Sequence, residues 1–78
     1  GGGTAQKSDV IKIGAVFPFT GDAATYGQSS RNAIDLLVNE TNKKGGLLGK
    51  QIKITYEDDE NKPANAANAL QKLINNDR

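Results

Sequence analysis

The sequence predicts an α/β fold, a β-α-β-α run that forms part of a doubly wound parallel sheet. Three observations carry this. Two short blocks rich in β-branched residues, 10–17 and 51–57, are each followed by apolar residues at helical spacing. The stretch between the blocks is long enough for a crossover helix, and strands joined that way run parallel with a right-handed connection. The first block is apolar on both faces, as an interior strand is, whereas the second alternates like an edge strand.

Residues 1–9 are Gly-rich and polar and read as a flexible leader; they lack the basic start and apolar core of a secretory signal. Residues 10–17, Val-Ile-Lys-Ile-Gly-Ala-Val-Phe, are the first strand, and Pro18 stops it because proline cannot donate to a ladder. Residues 19–25 carry Thr, Gly and Asp and form a loop. Ala33, Ile34, Leu37, Val38 and Thr41 then mark a buried helical stripe over residues 26–44. Thr25 is placed to cap its start, and Gly45-Gly46 stops it after Lys43-Lys44, whose cations suit the negative end of the helix dipole.

A short turn leads to the second strand, residues 51–57. Ile52, Ile54 and Tyr56 fall on one face; Lys53, Thr55 and Glu57 fall on the other. Residues 58–62 are a polar loop. Pro63 suits the first position of a second helix, residues 63–76, whose buried stripe is Ala66, Leu70, Leu73 and Ile74. Alanines at 64, 66, 67 and 69 let that helix approach a sheet closely.

The chain has 78 residues, short of the roughly 100–150 usual for a domain. Residues 10–78 are expected to be part of a larger lobe, because the first strand has no mate on its far side. Ten Lys and Arg against nine Asp and Glu leave a net charge of +1, which gives no electrostatic case for nucleic acid or an anionic membrane. No run approaches the roughly 18 apolar residues of a membrane span. Cysteine and histidine are both absent, which removes disulfides, thiol chemistry, the usual zinc sites and histidine-based triads.

The first βα loop, residues 18–25, is longer than the about 2–6 residues usual for such turns. In an open α/β sheet, ligands bind outside the carboxyl ends of the strands, where strand order reverses. The loop is expected to open onto that crevice, with Tyr26 either pointing into it or covering the helix end. Residues 45–50, Gly-Gly-Leu-Leu-Gly-Lys, fail as a phosphate loop. Lys44 stands where the first glycine is needed, Gln51 replaces the Ser or Thr, and the segment leads from helix to strand. It reads as a helix stop and a turn. No G-x-G-x-x-G occurs, so a nucleotide cofactor has no support, and no cofactor is expected.

Glu57-Asp58-Asp59-Glu60 lacks the alternating spacing that encircles a cation, and it reads as a solvated loop near the start of the second helix. Asn39-Glu40-Thr41 matches a glycosylation sequon but lies within a predicted helix. Ser29 and Ser30 have no histidine to activate them. Nothing argues for catalysis or for a bound metal.

Residues 11–21, Ile-Lys-Ile-Gly-Ala-Val-Phe-Pro-Phe-Thr-Gly, followed by Ala24-Thr25-Tyr26-Gly27, resemble the start of a mature periplasmic branched-chain amino-acid-binding protein. These are the receptors of ABC importers for leucine, isoleucine and valine. Residues 42–50, then residues 56–63 and the Ala-rich second helix, continue the likeness to about Asn76. The resemblance implies a type I periplasmic binding protein, two-lobed and hinged, with this chain opening the N-terminal lobe. It implies that Tyr26 touches the ligand side chain, while Phe19, Thr20 and Gly21 line the same cleft. The groups that grip the ligand's ammonium and carboxylate come from elsewhere, so the chain alone is expected not to bind ligand.

The implied partners are a small amino acid and an ABC permease, and the location is periplasmic or extracellular. Gly1-Gly2-Gly3 fits the sequence after a lipid-modified cysteine, or an expression scar; Arg78 fits a proteolytic or designed end. The free edge of the first strand is a template for a second copy, so a homodimer is expected. Two other readings stand beside this one. One is a truncated receiver-like or flavodoxin-like module with a metal or phosphoryl site at Asp58 and Asp59, although Pro18-Phe19-Thr20 stands where a receiver has its acidic pair. The other is a ligand-sensing domain of the same fold.

Overall fold

The structure, a computed structural model, describes residues 10–76; the leader over 1–9 and the end at Arg78 lie outside the described residues. Four elements follow in order: β1 (Val10–Phe17), α1 (Ala24–Lys43), β2 (Gln51–Asp58) and α2 (Pro63–Asn76). The strands pair in parallel, in register from Val10 opposite Gln51 to Phe17 opposite Asp58. No helix among the described residues is long and apolar enough to cross a membrane.

Alternation along the strands sorts the side chains onto two faces. The Tyr56 hydroxyl donates to Asp35 of α1 at 2.7 Å, which turns the Ile52, Ile54 and Tyr56 face toward α1. Lys72 of α2 meets Glu57 at 3.3 Å, and Leu73 lies against Gly14, so α2 covers the opposite face. Helices on opposite faces wind in opposite directions when both connections are right-handed. α1 carries the chain from β1 to β2, and α2 returns across β1 toward its free edge.

The outer edge of β2 is partly closed from within. The Asn42 side chain accepts from the Ile52 N–H at 2.8 Å and donates to the Ile52 carbonyl at 2.9 Å, so no other strand can pair there. At the end of α1, Gly46 N–H donates to the Thr41 carbonyl and Gly45 N–H to that of Asn42. Gly45 stands at φ 108°, in the left-handed region, and together these make a Schellman stop. Leu47 and Lys50 then close a two-residue hairpin by exchanging backbone hydrogen bonds of 2.7 and 2.9 Å.

Four expectations need correction. α1 begins at Ala24, not Tyr26, and its cap is Ala23 with no side-chain hydrogen bond; Thr25 already lies within the helix. It ends at Lys43, with Lys44 as its cap. β2 runs one residue further, to Asp58, because its pairing with Phe17 continues the ladder. The apolar stripes are also less covered than their spacing predicts. Leu73 is 7% exposed and Ala69 is buried, but Leu37 is 66% exposed, and Ala33, Leu70 and Ile74 are also exposed. The reason is width. A sheet of two strands offers each helix a narrow strip, and α1 packs mainly on β2, so the flanks beside β1 have nothing above them.

Candidate functional site

The carboxyl ends of the two strands carry two loops, and packing and hydrogen bonds hold both. Pro18 leaves β1 buried, and α1 lies so close above it that a Cβ on Gly27 would stand 1.8 Å from the Pro18 carbonyl oxygen. Only glycine allows this approach. Phe19 follows, and its ring turns onto an aromatic group. It meets Tyr56 edge-on at 5.6 Å and lies 6.2 Å from Phe17. The Arg31 guanidinium sits 4.7 Å from the Tyr56 ring centroid and 5.5 Å from that of Phe19. Arg31 also approaches Asp35 at 3.8 Å, one turn along α1. Burial, then the Asp35 carboxylate that accepts its proton, pushes the Tyr56 hydroxyl from 10.0 up to about 12.

Asp58, the last residue of β2, joins the two loops. Its Oδ1 accepts from the Phe19 N–H at 2.8 Å and from the Glu60 N–H at 2.9 Å, while its Oδ2 accepts from the Thr20 hydroxyl at 2.6 Å. The Thr20 hydroxyl, followed by the N–H groups of Glu60 and Phe19, holds this carboxyl below its ordinary range. The second loop is a tight turn in which Lys62 N–H donates to the Asp59 carbonyl at 2.9 Å. Its central residues, Glu60 and Asn61, stand at φ 53° and 60°, as in a type I′ turn. Between the loops lies an open depression of about 340 Å³, lined by Gly21, Asp22, Glu60, Asn61 and Lys62.

Of the residues expected to contact a ligand, Thr20 and Gly21 sit on the rim, both exposed, and Gly21 lines the depression. Tyr26 is 67% exposed on the first turn of α1. Phe19 lies in the same loop, but its ring packs into the aromatic group. The acids of the run at 57–60 have separate duties. Glu57 pairs with Lys72, Asp58 holds the loops, Asp59 accepts from the Asn61 N–H, and Glu60 pairs with Lys62 at 3.5 Å. Among the described residues, no three or more acids converge as a metal site.

The sequence named Asp58 only as part of a solvated loop or of a metal or phosphoryl site, and neither its hold on the two loops nor the grouping of Arg31 and Asp35 with Tyr56 was read from it. The i,i+4 spacing of Arg31 and Asp35 was visible as an ion pair, but its convergence on Tyr56 depends on which helix covers which face.

Residues 10–78 match the family model described as periplasmic binding protein. The chain belongs to the periplasmic binding protein family. Within that family it is 38% identical over 64 residues to the Leu/Ile/Val-binding protein BraC3 of Rhizobium johnstonii, a match covering 82% of this chain and 17% of that one. It is similar to LivJ of Streptococcus pneumoniae, a branched-chain amino acid transporter substrate-binding protein solved with isoleucine. There the TM-score is 0.78 at 37% identity, over 83% of this chain and 19% of that one. A fatty acid ABC transporter substrate-binding protein from Thermomonospora curvata superposes with a TM-score of 0.82 at 32% identity, over 87% and 18%. The chain spans less than a fifth of the length of these periplasmic binding proteins. Its parallel β-α-β-α architecture is theirs.

Proposed function

We propose that this chain supplies one wall of the ligand cleft in an extracytoplasmic solute receptor, which takes branched-chain or related aliphatic amino acids and hands them to an ABC importer. The observation that carries this is the assembled loop pair at the carboxyl ends of β1 and β2, in a chain of this family. Both loops are fixed in place before any ligand arrives, and Thr20, Gly21 and Tyr26 are presented outward. Tyr26 offers an aromatic surface to an aliphatic side chain, and Thr20 and Gly21 shape the rim. Phe19 supports them from below. No bond is made or broken, because the receptor's work is capture and release.

A two-walled cleft needs groups from both lobes, so this chain alone holds no ligand at useful affinity. Isothermal titration of the full-length polypeptide that carries the chain, against leucine, isoleucine and valine, tests the proposal. Binding of at least one is expected with one site per molecule. Heat evolved by none of them would refute it. Residues 1–78 alone should give no micromolar binding in the same titration. The proposed location is periplasmic or extracellular.

The free edge of β1 favours a second behaviour in the isolated chain. Beside that edge an open groove of about 270 Å³ is lined by Lys12, Gly14, Leu70, Leu73 and Ile74. Two copies pairing there would complete a four-stranded sheet and cover these side chains. Analytical ultracentrifugation should find a dimer at micromolar concentration, and a cooperatively folded monomer would exclude it.

A further inference from the structure

We propose that Asp58 is the positioning residue of this cleft: it sets the ligand loop by tying it to the opposite turn, without touching the ligand itself. This rests on the solute-receptor function above and adds a residue that governs it.

Its three hydrogen bonds come from two loops, which also meet where the Asp59 N–H donates to the Phe17 carbonyl at 3.1 Å. Phe19 N–H and Thr20 Oγ1 belong to the β1–α1 loop, 39 and 38 residues away in sequence, and Glu60 N–H belongs to the β2–α2 turn. Hydrogen bonds to an ionised carboxylate are roughly twice as strong as neutral ones. The Oδ1 accepts two of the three and the Oδ2 the third, so the carboxylate faces its own loops rather than a ligand's ammonium. The β1–α1 loop is therefore held twice, by its backbone on Asp58 and by the Phe19 ring between Tyr56 and Arg31. Thr20 and Gly21 follow directly from that point, and the first turn of α1 with Tyr26 comes next. The same carboxylate fixes the turn whose Glu60 and Asn61 line the other side of the depression. Releasing Asp58 loosens both walls together. A ligand that binds only the assembled arrangement then meets fewer competent molecules, and its apparent affinity falls by that fraction.

Asparagine separates positioning from charge. In D58N the amide oxygen can still accept both N–H groups, and the amide nitrogen can donate to Thr20 Oγ1, whose hydroxyl serves as acceptor as readily as donor. In D58A the loops lose these hydrogen bonds, and the Phe19 ring still ties the first loop to β2. The experiment measures association and dissociation rates of isoleucine by stopped flow on the full-length polypeptide, as wild type, D58A, D58N and T20V. Hydrogen exchange at residues 17–26 and 57–62 is followed in the same proteins.

The expected result is an association rate about tenfold lower in D58A, with dissociation unchanged and one site per folded molecule. D58N should lie within about threefold of wild type, with T20V between them. Exchange at Phe19 and Glu60 should accelerate in D58A and stay slow in D58N. If D58N falls as far as D58A, the charge acts on the ligand and the proposal is overturned. An unchanged association rate in D58A overturns it as well. If the wild type binds no aliphatic amino acid, the receptor function fails instead. The exchange pattern then still decides whether Asp58 holds the two loops.

Discussion

Asp58 and Tyr56 lie two residues apart on β2, and pH acts on them from opposite ends of the scale. The Asp58 carboxyl is held below its unfolded value of 3.8, so its contribution to stability is present above that pH. It is lost as pH falls through the lower folded value, when the hydrogen bonds from Thr20, Phe19 and Glu60 lose their charged acceptor and weaken. Acid should therefore loosen the β1–α1 loop before the rest unfolds, and faster exchange of the Phe19 amide than of the strand amides on acidification would show it. Tyr56 is raised from 10.0 to about 12, so its contribution is complete below 10.0 and disappears as pH rises from there through about 12. With Y26F removing the other of the two tyrosines, ultraviolet absorbance should report a single late ionisation. Adding D35N should move that midpoint down, because the carboxylate that accepts the Tyr56 proton is gone. An unmoved midpoint would mean that burial alone sets it.

At the scale of elements, two glycines make tight contacts of unequal consequence. A Cβ on Gly27 meets the rigid Pro18 carbonyl oxygen at 1.8 Å, whereas one on Gly14 meets the Leu73 Cδ1 methyl at 2.9 Å. The first cannot be relieved without moving α1; the second can be eased by turning a leucine end. G27A should cost about 3 kcal/mol and G14A about 1 kcal/mol or less in urea unfolding. Comparable losses would contradict this difference in rigidity. The same contrast explains what the sequence revealed. Pro18, Pro63 and the Gly45-Gly46 stop act through their own backbones, so strand and helix ends near them were legible. The start of α1 was not, because Ala23 caps it without a side chain, while Asp58 anchors the preceding loop from 38 residues away. Thr20 and Gly21 could be found by their place after a strand. Asp58 could not be found from a run of four acids whose members turn out to have four different partners.

For the molecule as a whole, the deciding feature is that the two helices lie on opposite faces of a sheet with one open side. Leu73 and Ala69 are buried, while Leu36, Leu37 and Leu70 are more than half-exposed and Ile74 is nearly so. Burial sets the cost of truncation, so L73A should destabilise by about 2–4 kcal/mol and L70A by well under half of that in the isolated chain. A change in the environment of Leu70 when the full-length polypeptide is compared with the chain, followed by methyl NMR, would mark the surface that further strands cover. The proposed capture site lies at the carboxyl ends of the strands, and it can be tested directly. Nuclear Overhauser contacts should be sought between the Tyr26 ring and the methyl groups of isoleucine bound to the full-length polypeptide. The expected result is direct cross-peaks, with shifted resonances at Thr20 and Gly21. Saturation with isoleucine that leaves residues 19–26 unperturbed would contradict a cleft built on this loop.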